Sequence, residues 1–147
     1  MALLHAPGVK ASLRRRLEAL RPDSQRQWGT MSVGQMLWHV SETMEAALGR
    51  STLGPQKVPL PRPVLKFIVI NLPWPKGAPT LEPWKAGEDK YDFAAEHSRC
   101  LRLLDELAMK PIDEPWPDSP SLGRMSGRDA SRLMAKHLNH HLKQFGA

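Results

Sequence analysis

One cysteine, Cys100, stands in the whole chain. No internal disulfide can form, and a lone thiol fits a reducing cytoplasm. There is no cysteine cluster to hold a structural zinc. Long apolar runs are missing too. The longest, "VLKFIVINL", covers nine residues and contains Lys66 and Asn71, far short of the roughly 20 that a membrane-spanning helix needs. The opening "MALLHAPGVK" lacks the basic-then-apolar layout of a secretory signal. Glu-x-x-His occurs nowhere, so the di-iron carboxylate bundle is unsupported. In "HLNHH", Leu138 stands where a zinc protease of the H-E-x-x-H type places its glutamate. A G-x-x-x-x-G-K phosphate loop and a dinucleotide glycine fingerprint are absent as well.

What is present is an ordinary globular composition, 41% hydrophobic and 24% charged over 147 residues. That length predicts one domain spanning 1–147, with enough chain for a single core. The net charge is +6, with Arg14, Arg15 and Arg16 in a row and Arg124, Arg128, Arg132, Lys136 and Lys143 along the C-terminal segment. Such a balance can mark a nucleic-acid partner. Without basic–aromatic interleaving or a recognition-helix signature, it reads better as solvated helix faces. We therefore expect neither a nucleic-acid nor a membrane partner.

Four long helices can be read. The first runs from about Gly8 to Leu20, with Val9, Leu13, Leu17 and Leu20 at helical spacing and Pro22 after it. The second opens at Ser32, three residues before Gln35 in a capping-box pattern, and stops at Gly49. The third covers about Asp89 to Met109, with a stripe of Phe93, His97, Cys100, Leu101, Leu104 and Leu107. The last opens at Ser126 with Asp129 and runs to about Phe145. A proline-rich stretch, "PIDEPWPDSPSLG", reads as the linker before it.

Residues 49–88 differ in kind, because eight of the fourteen prolines lie there. Proline forbids a long regular helix or a central strand. We read this segment as a crossover arm carrying Trp74 and Trp84, packed over the core, with "VLKFIVINL" as a short buried helix. Four helices, few strands and long crossovers predict an all-α four-helix bundle.

The histidines bear on function. On a wheel of about 100° per residue, with His137 at zero, Leu133 lies at about −40°, His141 at about +40° and Met134 at about +60°. His140 falls at about −60°, on the margin beside Lys136 and Lys143. His137 and His141 thus point inward together, and i, i+4 neighbours can converge. Paired imidazoles suit zinc, nickel, iron or copper. They suit equally two buried histidines with hydrogen-bonded nitrogens. A third ligand has two candidates. His39 lies on the flank of the second helix's apolar face, and His97 lies within the third helix's stripe. Spacing does not choose between them. His5, near a terminus, is expected to be exposed. Cys100 sits on an apolar stripe and reads as an inert buried thiol. Glu42, one turn beyond His39, reads as a solvated helix glutamate before it reads as a partner of the site.

Together "WGTMSVGQMLWHVSE", "PWPKG" at Pro73 to Gly77 and "HLNHHLKQFG" resemble the DinB/YfiT-like metalloenzyme superfamily. More narrowly they are similar to a bacterial branch of it known only as a domain of unknown function. The resemblance spans nearly the whole chain. It implies an up-down-up-down bundle with a divalent transition metal, nickel or zinc first and iron next, held by His39, His137 and His141. It also implies a small-molecule substrate, a low-molecular-weight thiol among the candidates, because relatives with known activity are thiol-dependent S-transferases and isomerases. A homodimer is common in the superfamily. The proline-rich arm departs from a plain bundle. Two functions follow: a metal-dependent thiol S-transferase or hydrolase, and a non-catalytic structural or stress-associated binding protein whose histidines are structural.

Overall fold

The computed structural model describes residues 2–88 and 90–147. Five helices and one hairpin follow in the order α1 (Val9–Glu18), α2 (Val33–Ala47), α3 (Arg62–Asn71), a 3₁₀ turn (Glu82–Trp84), α4 (Phe93–Met109), β1 (Pro115–Ser119), β2 (Gly123–Ser126) and α5 (Gly127–Gln144). The fold is mostly helical, as expected, with a small sheet.

Local chemistry explains where the helices begin. Ser32 Oγ accepts from the Gln35 amide at 3.1 Å, and Gln35 Oε1 accepts from the Ser32 amide at 2.7 Å. Both halves of the capping box are therefore made, and two amides at the start of α2 are satisfied. Ser126 Oγ accepts from the Asp129 amide at the start of α5. Just past α2, Gly49 takes a φ of 77°, a left-handed conformation that costs glycine little. The helix α1 is shorter than the expected Gly8–Leu20, although Leu20 stays buried. The third long helix, α4, starts at Phe93 after Asp92, so Lys90, Tyr91 and Asp92 lie outside it and it is shorter than expected. The expected start at Asp89 lies outside the described residues.

Two expectations need correction. The "VLKFIVINL" segment is helical, as read, but Ile70 is its one buried residue among those described, and Val64 and Phe67 are exposed. One side of α3 packs on α5 while the other faces solvent. The second correction concerns the stretch taken as a linker. It contains β1 and β2, an antiparallel pair matching Trp116 to Met125 and Ser119 to Gly123. Trp116, Leu122 and Met125 are buried there, so the hairpin closes one end of the core. Each strand has a free edge, which is where Pro115 and Pro117 can be accommodated.

The core lies where α2 meets α4 and α5, with α1 packed against α4 and α5. Leu13 and Leu17 from α1, Met36, Leu37, Val40 and Met44 from α2, Leu103, Leu104 and Leu107 from α4, and Leu138 and Leu142 from α5 fill it. The arm is fastened over this core by polar contacts. Lys136 Nζ on α5 donates to the Val69 carbonyl at 2.7 Å and also to the Leu72 carbonyl. A cation thus satisfies the last carbonyls of α3, where the helix dipole favours it. Gln35 Nε2 donates to the Gly87 carbonyl at 2.7 Å, which ties the arm's far end to the start of α2.

Candidate metal centre

The flank of α2 that carries His39 faces the inward stripe of α5. His39 and His141 are buried and His137 is half-buried. The Nε2 atoms of His39 and His137 lie 3.0 Å apart, and those of His137 and His141 lie 3.1 Å apart. One ligand nitrogen from each ring falls within 4.8 Å of the others.

The opposite side of each ring fixes which nitrogen carries the proton. His39 Nδ1 is 2.7 Å from the Trp84 carbonyl, which can only accept, so Nδ1 is the protonated atom. Gln144 Nε2 donates to the Trp28 carbonyl at 3.1 Å, which turns Gln144 Oε1 toward His141 Nδ1 at 2.8 Å. That nitrogen therefore donates as well. Thr43 spends its one hydroxyl proton on the Val40 carbonyl at 2.7 Å, so at 3.2 Å it can only accept from His137 Nδ1. The network assigns all three rings as Nδ1–H tautomers. Three Nε2 lone pairs then face one another with no proton between them. Left alone they repel, and a cation at their centre removes that conflict.

The electrostatics agree with this assignment. Burial drives the His137 pKa well below the ordinary 6.5, and His141, His39 and His140 lower it further. Burial, then the neighbouring His39, takes His141 to about 3, against the upward pull of Gln144. Burial lowers His39 too, partly offset by the Trp84 carbonyl. All three are neutral near pH 7, the state a metal ligand requires. Nitrogens about 2.0–2.1 Å from a tetrahedral zinc stand about 3.3 Å apart, within a few tenths of an ångström of the two spacings found. The donor set fits a divalent ion.

The other candidates lie elsewhere. His97 Nε2 bonds the Leu17 carbonyl at 2.7 Å, and the ring stacks on Phe93. It ties α4 to α1, away from the cluster. His140 stands outside the cluster, half-buried, with its ring edge-on to Trp28 and Trp74. His5 was expected at the surface. It is half-buried instead, with Nδ1 2.8 Å from Ser131 Oγ and Nε2 2.8 Å from the Lys110 carbonyl. Glu42 pairs with Arg99, so it is neither free in solvent nor engaged with the histidines. Burial pushes the Cys100 thiol up to about 12, which leaves it inert as read.

Above the histidines opens a cavity of about 540 Å³, walled by the arm, the hairpin and α5. Three partners of the rings escaped the sequence reading. Thr43, one turn beyond His39, and Gln144, three residues beyond His141, carried a helical-spacing signal. The Trp84 carbonyl carried none, being backbone delivered by the arm. Among the described residues, no helix is long and apolar enough to cross a membrane. No curated protein and no solved structure matches the chain. A family model described as the DinB superfamily matches residues 8–145.

Proposed function

Since this chain belongs to the DinB superfamily, we propose that it is a metal-binding protein whose ion is held by His39, His137 and His141. The observation that carries this reading is the convergence of three Nε2 lone pairs whose Nδ1 protons are all engaged elsewhere. Nickel or zinc is the expected ion, with iron next, because neutral imidazoles suit borderline metals.

When bound, the ion supplies Lewis acidity and lowers the pKa of a water or thiol beside it. The chain's own part is orientation. Trp84, Thr43 and Gln144 hold the three rings by their far nitrogens, so the near nitrogens stay unprotonated and aimed at one point. None of the three ligands is anionic, so the charge of the ion is not neutralised and favours an anionic group from a substrate. This supports a metal-dependent thiol S-transferase or hydrolase acting on a small molecule. On the same reading the chain is one domain over 1–147, an up-down-up-down bundle of α1, α2, α4 and α5, cytoplasmic and homodimeric. Val64 and Phe67, exposed on α3, support an interface there.

Elemental analysis and calorimetry after reconstitution with nickel or zinc test the metal. One ion per chain is expected. No binding at micromolar metal returns the histidines to a structural role.

A further inference from the structure

The cavity over the histidines is built from apolar surface. Trp74, Trp84, Leu65, Ile68, Pro79 and Leu133 are among its walls. The indole N–H of Trp74 donates to the Val69 carbonyl at 2.8 Å, and that of Trp116, another wall residue, to the Pro111 carbonyl at 2.7 Å. These rings therefore offer the cavity no free donor. Two of the lining hydroxyls are engaged as well. Thr43 bonds the Val40 carbonyl and His137, and Ser119 Oγ accepts from the Leu122 amide. Histidines apart, the described lining residues that carry charge are Lys57 and Asp118, and both are exposed. The one concentrated polar feature is the trio of imidazole nitrogens.

We propose that this cavity binds a small, predominantly apolar molecule that carries a single polar donor group, with the donor at the histidines and the apolar body along Trp74, Trp84 and Ile68. The proposal rests on reading the histidines as a metal site and adds the substrate class. A volume of about 540 Å³ is within the range of ligand pockets. At about 30 Å³ each it equals roughly eighteen waters, room for a molecule with a medium-length alkyl chain or an aromatic ring system. Further hydroxyls on the body would lose water and meet mostly indole faces and proline rings.

Two titrations decide the matter. In the first, ethanethiol, butanethiol and hexanethiol are added to cobalt-reconstituted protein, and the sulfur-to-cobalt charge-transfer band reports occupancy. Affinity is expected to rise about fourfold per methylene, the value for moving a CH₂ from water to an apolar site. In the second, the matching 1-alkanols are added to metal-free protein, with tryptophan fluorescence as the readout and the same trend expected. A rise of less than tenfold from ethanethiol to hexanethiol overturns the proposal, as does 1-thioglycerol binding as tightly as butanethiol. If cobalt does not bind, the metal reading fails and the alkanol series alone decides: the fourfold trend supports an apolar site, and a flat series overturns it.

Discussion

At the scale of single residues, the centre depends on which nitrogen of each ring is protonated. His140 and His141 are neighbours in sequence, yet only His141 presents Nε2 to the cluster. His140→Ala should therefore leave one metal ion per chain, while His141→Ala should lose it. Equal losses in elemental analysis would show that His140 belongs to the donor set. Gln144 offers a finer test. Its Oε1 accepts from His141 Nδ1, and Gln144→Leu frees that ring to adopt the other tautomer. Metal affinity should fall roughly 10- to 100-fold, as it does when an outer partner of a ligating histidine is lost, with the stoichiometry unchanged at saturating metal.

Among the elements, what could be read from sequence follows the range of the interactions that make them. The capping box of α2, the serine cap of α5 and the glycine stops after both are local, and the starts at Ser32 and Ser126 were legible. The inward pairing of His137 and His141 was legible for the same reason, since one helix carries both. The hairpin was not. Its pairing joins Trp116 to Met125 across a turn, and Pro115 and Pro117 argued against a strand. The choice of His39 over His97 depends on which helix lies opposite, and a helical wheel shows a face without showing its neighbour. The arm was expected to pack over the helices. It does so through α3, where Lys66 Nζ reaches Asp129 at 3.2 Å and the Arg124 carbonyl at 3.0 Å. Lys57, by contrast, is exposed outside any helix. Trypsin should cut after Lys57 well before Lys66 in the native protein. Arg62 is uninformative, because Pro63 follows it. Equally rapid cleavage at Lys57 and Lys66 by mass spectrometry would show that α3 is not held against α5.

For the molecule as a whole, the buried histidines tie stability to pH. The pKa values of His39, His137 and His141 are lower folded than the unfolded value of 6.5. The unfolded chain therefore takes up protons first as the pH falls. Stability is complete above about pH 6.5 and is lost below it, toward about 3 in the case of His141. At pH 5 each such ring costs up to about 2 kcal/mol. Thermal melts of the metal-free protein should show a lower Tm at pH 5 than at pH 7.5. A Tm that holds or rises at pH 5 would mean that the rings are already charged in the folded state.

His39 and His137 are 98 positions apart in the chain, and an ion shared between them would close a loop that takes in most of the sequence. This chain has one cysteine and cannot close such a loop with sulfur. In the chain-entropy picture, a covalent tie across about 100 residues is worth about 4–5 kcal/mol, through the freedom it removes from the unfolded chain. Coordination would join the same two positions by a bond that reducing agents leave intact and chelators undo, and it would stabilise through its affinity for the folded chain. The metal-loaded protein should therefore keep its Tm in dithiothreitol at a concentration too low to strip the ion, and lose several degrees in EDTA. In a reducing environment the ion would thus serve as this chain's substitute for a disulfide.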